Sequence, residues 1–298
     1  MANVINASTN LPTQIVEEMF NTVRGKSSIA KLAPQRPIPF NGITEMVFSL
    51  DHDASIVGES DPKVNGGGTA TPVVIRPYKF EYGLRVSDEF LYGTEEYRMD
   101  VLRTFADGAA RKFARALDIA AMHGLNPYSV TASTVVGTNN FESAVTNAVT
   151  YNASTPDANI DAALALVEAA GVSADGIAIS PTMRSAIAAM TVNGANKFRE
   201  FEWGGTPETL GAMRLDSNPT VEVAATGATH TLHAIVGDFS AFRWGYAKDI
   251  PLEVIQYGNP DNDAVAGDLK GHNQVYLRAE AYIGWGILAP SFFAKVQA

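Results

Sequence analysis

The chain has 298 residues, 46% of them hydrophobic and 18% charged, enough apolar material for one large domain or two modest ones. It holds no cysteine, which excludes disulfides, thiolate metal sites and cysteine nucleophiles. The formal net charge is −10, so sequence-independent attraction to nucleic acid over the whole surface is excluded. The low charge fraction suits extensive subunit contacts, because charged groups are costly to desolvate.

The first eleven residues are polar and lack a signal-type apolar core, so the expectation is a protein that is not exported. Residues 1–43 carry Arg24, Lys26, Lys31 and Arg36 against Glu17 and Glu18, a net +2 that leaves −12 on the remainder. Such an arm suits weak contact with a polyanion; the plainer reading is scattered, solvated charge. A short helix with irregular chain after it is expected between Leu11 and Ala33. Pro34, Pro37 and Pro39 then impose an extended course.

Residues 44–50 and 72–82 alternate as strands. The polar stretch between them contains Gly58 and the triplet Gly66, Gly67 and Gly68, which together predict a long hairpin. A connection of this length is usually functional or ordered by a partner. From Glu95 to His123 there is no proline, and Leu102, Phe105, Ala106, Ala109, Phe113, Leu117, Ala120 and Ala121 fall at helical spacing. The opposite face is assigned Arg103, Asp107, Arg111, Arg115 and Asp118, and Gly124 with Pro127 ends the helix.

Residues 127–155 read as loops or short strands. A second helix is expected from Pro156 with Thr155 as cap, then a buried strand at Gly176–Ile179, then a helix from Pro181 to about Met190. Residues 193–212 read as a polar loop. Strands follow at Val221–Val223, Leu232–Val236, Phe242–Tyr246 and Leu252–Ile255, a polar loop at 258–273, a strand region at Gln274–Ile287 and a last segment at Phe292–Val296. Without regular βαβ alternation this is an α+β pattern. The apolar stretch 283–296 is broken by Gly284, Gly286 and Pro290, so no membrane partner is expected.

The motifs that carry chemistry are poor. Asp51-His52-Asp53 offers two carboxylates on one side of a strand and no third ligand. His230 and His233 would lie on opposite faces of a strand, and no H-E-x-x-H arrangement occurs. Gly66–Gly68 lacks the Lys-Ser/Thr of a phosphate loop, and there is no G-x-S-x-G elbow. Trp203, Trp244 and Trp285 read as core or interface anchors. No catalytic residue, resident metal or cofactor is assigned.

The order of arm, hairpin, long helix, compact mixed region and terminal strands resembles the major capsid proteins of tailed double-stranded DNA bacteriophages, the Hong Kong 97-type fold. The likeness is carried by Ala54-Ser55-Ile56-Val57-Gly58-Glu59-Ser60, by Leu84 to Leu91 and by the helix stretch Ala106 to Gly124. It continues through Thr209-Leu210-Gly211, Gly237-Asp238-Phe239-Ser240, Arg278-Ala279-Glu280 and Pro290-Ser291-Phe292-Phe293. It implies an N-terminal arm (1–43), an extended hairpin loop (44–82), a peripheral domain with a spine helix (83–150), an axial domain (151–249), and a peripheral return with a C-terminal strand (250–298).

The implied function is that of a structural subunit, not an enzyme. It self-assembles through pentamers and hexamers into an icosahedral virion shell around double-stranded DNA, and is made in the host bacterial cytoplasm. The short arm implies that scaffolding is a separate protein. A portal, a decoration protein and weak non-specific contacts with packaged DNA complete the implied partners. The subunit-interface residues implied are Val57, Gly58, Glu59, Lys63, Arg85, Arg278 and Glu280. Some relatives form a Lys–Asn isopeptide cross-link assisted by a Glu, and Lys63, Asn273 and Glu280 occupy those places here. Relatives that do not cross-link keep an Arg-x-Glu pair like Arg278 and Glu280 for salt bridging. Two alternatives stand beside this reading: an encapsulin-like nanocompartment shell, and a cytosolic metal-dependent hydrolase using Asp51 and Asp53.

Overall fold

A computed structural model describes residues 13–229, 232–248 and 252–298. Helix α1 (Thr13–Lys26) and the short helix α2 (Ser28–Leu32) replace the single helix expected in the arm. Ser27 divides them, because its backbone is extended and its Oγ accepts from the Ala30 N–H as the cap of α2. Residues 33–38 then run as extended chain alongside Trp244 and Tyr246, whose carbonyls accept from the Arg36 and Ile38 N–H groups.

The hairpin consists of β1 (Ile43–Leu50) and β2 (Gly68–Ile75), antiparallel with Ile43 opposite Ile75 and Leu50 opposite Gly68. The strand expected over 72–82 is divided at Arg76. Pro77, which has no N–H to give, opens β3 (Pro77–Ser87), and β3 pairs elsewhere. Helix α3 (Glu95–His123) has the expected bounds. Thr94 accepts from the Tyr97 N–H, Glu95 and Glu96 complement the N-terminal dipole, and the Gly124 N–H donates to the Ala120 carbonyl. Its 29 residues span roughly 44 Å.

Further along come β4 (Ala148–Thr150), α4 (Pro156–Glu168), β5 (Gly176–Ile179), α5 (Pro181–Ala188), β6 (Thr209–Leu210), β7 (Met213–Ser217) and β8 (Leu232–Gly237). The chain closes with β9 (Phe242–Lys248), β10 (Leu252–Ile255), β11 (Gln274–Ile287) and β12 (Phe293–Gln297). Pro156 opens α4 as expected, but Thr155 makes no side-chain cap bond. The strand expected at Val221–Val223 is a 3-10 turn over Pro219–Glu222, because the Asn218 side chain accepts from the Thr220 N–H and folds the chain back.

Two sheets organise the rest. β11 is central in one, with β3 along one edge and β9 and β10 in succession along the other. The second is six-stranded in the order β6-β7-β5-β8-β12-β4, mixed parallel and antiparallel, and its β12 comes from the end of the chain. The six-stranded sheet lies between two hydrophobic clusters: its Ala178, Leu232 and Ile235 enter the first, and Ile177, Ile179, Ala234 and Val236 the second. The first gathers α1, α2, the apolar stripe of α3 and the inner face of β11, with Trp244 and Trp285 fully buried. The second packs Ile160 and Val167 of α4 and Met183 and Ile187 of α5 against Ile177, Ile179, Ala234 and Val236. β12 divides in the same way, with Phe293 in the first cluster and Val296 in the second.

One residue assigned to the polar face of α3 is not on the surface. Asp118 is fully buried and accepts from Ser27 Oγ (2.5 Å), the Ser28 and Ile29 N–H groups (3.0 and 3.2 Å) and Thr220 Oγ1 (2.9 Å). It ties the α2 N-terminus, the spine helix and the 219–222 turn together, and four donors make its burial tolerable. Burial still pushes its carboxyl up to about 6.

Candidate subunit-contact surfaces

The hairpin has no core of its own. On one face Thr44, Met46, Phe48 and Leu50 lie opposite Val74, Pro72, Ala70 and Gly68. Alternation along a strand puts all eight on the same side. Phe48 is 73% exposed and Leu50 79%. The other face is tied down at its base, where Glu45 forms an ion pair with Arg243 and Ile75 is buried. The sequence reading found the strands but did not single out this apolar face, although the alternation Met46, Phe48, Leu50 signals it.

The connection 51–67 holds Val57, Gly58, Glu59 and Lys63, all exposed and without hydrogen-bonded side chains among the described residues. Its few internal bonds are local. Asp51 Oδ2 accepts from the Gly67 N–H at 2.9 Å, and the Asp61 N–H donates to the Gly58 carbonyl. His52 sits with Nδ1 2.8 Å from the Asp53 carbonyl, and this bond, then that to the Asn65 carbonyl, raises its pKa. Among the described residues no group of three His, Asp or Glu side chains could hold a metal ion, so Asp51 and Asp53 gain no third ligand. His230 lies outside the described residues, and His233 is buried with its ring stacked on Tyr151 at 3.8 Å.

Arg85, Arg278 and Glu280 lie on the sheet face that turns away from the first cluster, where β3 and β11 pair. Arg85 is spent inside the chain. Its Nε and Nη2 grip both oxygens of Asp261 (2.8 and 2.5 Å). Nη2 also donates to Asn259 Oδ1 and the Gly267 carbonyl, and Nη1 to Gln274 Oε1. The guanidinium thereby straps the 256–273 loop to β3, and it pulls the Asp261 carboxyl down to about 2. Sequence spacing gives no signal for a clamp between residues this far apart.

Glu280 is buried and stands opposite Glu81 in the ladder. Lys79 pairs with it at 2.7 Å and Arg278 Nε approaches at 3.4 Å, while Arg278 Nη2 donates to Glu253 at 2.6 Å. Hydrogen bonds to Glu280 and Glu253 hold Lys79 and Arg278 above their ordinary pKa values. Close packing continues beside it: a Cβ at Gly83 would fall 1.9 Å from the Tyr276 hydroxyl, so a side chain there would have to displace the Tyr276 ring. Asn273 caps the turn before β11 at φ 53° and its carbonyl accepts from the Asp88 N–H. The strand from Gln274 to Glu280 separates it from Glu280 by about 20 Å. Lys63, Asn273 and Glu280 make no contact with one another within the chain.

The tryptophans divide. Trp244 donates from Nε1 to the Ala33 carbonyl and Trp285 to the Asn139 carbonyl, both as core anchors. Trp203 is fully exposed, with a left-handed backbone at φ 55°. Among the described residues no helix is long and apolar enough to cross a membrane.

Comparison with known proteins adds to this geometry. The model of the Phage capsid family matches residues 8–298. A solved structure from Mycobacterium phage Ogopogo is 31% identical, with a TM-score of 0.77 over 91% of this chain and 92% of that one. One from Gordonia phage Cozz is 26% identical, with a TM-score of 0.73 over 91% and 86%. The capsid of an empty GTA particle, at 14% identity and a TM-score of 0.62 over 91% and 90%, shares the fold. No curated protein matches the chain by sequence.

Proposed function

The chain belongs to the phage capsid family as a structural subunit that self-assembles into the virion shell, and we propose that its hairpin is the element that reaches a neighbouring copy. The observation that carries this reading is the bare apolar face of Met46, Phe48 and Leu50. A two-stranded ribbon is marginal by itself, and exposed apolar area of this kind marks an interaction site. In this reading residues 44–82 are the extended loop, 83–150 and 250–298 the peripheral domain with its spine helix, and 151–249 the axial domain. Copies close into pentamers and hexamers through repeated heterologous contacts.

Val57, Gly58, Glu59 and Lys63 at the tip touch the neighbour. Arg85, Arg278 and Glu280 shape the surface that receives it, the first by holding the 256–273 loop and the other two by pairing charges on the sheet. Glu280 acts in this pairing and not in a cross-link, because Lys79 and Arg278 already engage its carboxylate. A separate scaffolding protein, a portal and a decoration protein are the further partners. Synthesis takes place in the host bacterial cytoplasm, and the enclosed cargo is double-stranded DNA and not an enzyme.

Negative-stain electron microscopy of the purified protein, with sedimentation alongside, tests the reading. Closed shells, or rings of five and six, are expected with scaffold and crowding supplied; a species that stays small under those conditions overturns it. A boiled denaturing gel of mature shells should give one band near 31.8 kDa, and a covalent ladder would restore the cross-link of Lys63 and Asn273.

A further inference from the structure

Asparagine is followed by glycine at Asn41-Gly42, Asn65-Gly66 and Asn193-Gly194. The pairing carries its own chemistry. The side-chain amide carbon of the asparagine lies near the next backbone nitrogen, and glycine has no Cβ to bar the approach. Closure to a five-membered ring needs that nitrogen free to lose its proton. It also needs the asparagine Cβ turned toward it.

The fold restrains two of these sites. The Gly42 N–H donates to the Pro39 carbonyl at 2.8 Å, in a turn where Gly42 has φ 81°. Asn193 and Gly194, at φ 53° and 80°, form the turn between the paired segments Thr191–Val192 and Ala195–Asn196. A left-handed residue carries its Cβ away from the following nitrogen, so Asn193 reacts only when the turn opens. Asn65 has neither restraint. It is exposed and its backbone is not left-handed. Among the described residues neither its side chain nor the Gly66 N–H makes a hydrogen bond. The bonds that close the hairpin stop one residue short of it, where Asp51 and Gly67 hold each other.

We propose that Asn65 is a self-modification site that ages the hairpin tip of unassembled subunits. The Gly66 nitrogen attacks Asn65 Cγ. The N–Cγ bond forms, the Cγ–Nδ2 bond breaks, and Nδ2 departs as ammonia with the proton that Gly66 gave up. Water then opens the ring. Addition at Cγ leaves an ordinary aspartate, and addition at the backbone carbonyl leaves isoaspartate, whose main chain runs through Cβ and Cγ. Either product sets a negative charge two residues from Lys63, and isoaspartate also lengthens the backbone at the tip. The effect on assembly rests on the reading that this tip touches a neighbouring copy; the reaction itself does not.

The test is timed incubation of the full unassembled chain in mildly alkaline buffer. Peptide mass spectrometry reads the amide-to-acid change, and isoaspartyl methyltransferase labelling reads the isomer. The tip should convert at least about tenfold faster than Asn41 and Asn193. Gly66→Ala should slow the tip at least about tenfold. That variant keeps the loop, because a Cβ at Gly66 meets only the His52 ring at 3.5 Å and Asp51 at 3.8 Å, ordinary contact distances. Aged wild-type subunits should need a concentration about threefold or more higher to assemble, while aged Gly66→Ala subunits assemble as fresh ones do. No conversion at Asn65, or conversion at Asn193 at the same rate, overturns the proposal. Equal loss of assembly by aged wild type and aged Gly66→Ala overturns the effect on assembly. Fresh subunits that never assemble sink the capsid reading alone, because the mass measurement needs no shell.

Discussion

The spine helix and the hairpin are both long, regular elements with a clean apolar stripe, yet they end in opposite states. Helix α3 buries Leu102, Phe105, Phe113 and Leu117 against its own chain, while β1 presents Met46, Phe48 and Leu50 to solvent. The difference lies in what stands opposite. α3 has α1, α2 and the inner face of β11 across from it. The hairpin is anchored at its base, and nothing among the described residues covers its apolar face. Apolar area that a subunit cannot bury alone remains available to an assembly. The first region should therefore govern whether the subunit folds, and the second whether subunits join.

The sharpest way to break this comparison is at Trp285, fully buried on β11. Trp285→Ala should destabilise the monomer by about 3–5 kcal/mol in urea unfolding. A smaller loss than the hairpin variants below cause would reverse the assignment of roles.

Asp118→Asn comes next, at about 1–3 kcal/mol, because an amide cannot accept from all four of its donors. Its pH dependence carries a definite sign. The folded carboxyl is raised to about 6 from an ordinary 3.8, so the folded state binds the extra proton. The stabilising contribution is complete below about 3.8 and is lost as pH rises through about 6. Thermal midpoints measured from pH 4 to 7 should carry this falling term in the wild type and lack it in Asp118→Asn.

Arg85→Ala should leave the two cores intact and release the 256–273 loop, whose only side-chain strap to β3 among the described residues is this guanidinium. Hydrogen exchange is expected to rise across that loop and not in α3. Uniform protection would mean that the loop holds itself.

The smallest effect on folding is expected from Phe48→Ser combined with Leu50→Ser. Monomer stability should change by less than about 0.5 kcal/mol, since both side chains are exposed. The concentration needed for assembly should rise at least about tenfold, for lost apolar contact of about 1.4 kcal/mol or more per interface. Normal assembly by this variant would remove the hairpin from the interface.

Much of the architecture is legible in the chain itself. The helical spacing from Glu95 to His123, ended by Gly124, specifies α3 to the residue, because periodicity and helix-ending glycine act locally. The strands at 176–179, 232–237 and 274–287 follow in the same way from apolar stretches bounded by polar or turn-forming residues. Local signals misled where a single residue redirected the chain, as at Ser27, at Pro77 and at Asn218 with Pro219.

What the sequence by itself determined is therefore the inventory: an α+β chain without cysteine, with a spine helix, a long hairpin and no catalytic motif. Only the tertiary structure decided which of two equally apolar side chains, Leu50 and Leu117, is left bare. It alone placed Asp118 among four donors and closed Arg85 on Asp261 across 176 residues of chain. Burial and long-range pairing depend on what packing brings alongside a residue, and a linear pattern carries no record of that neighbour.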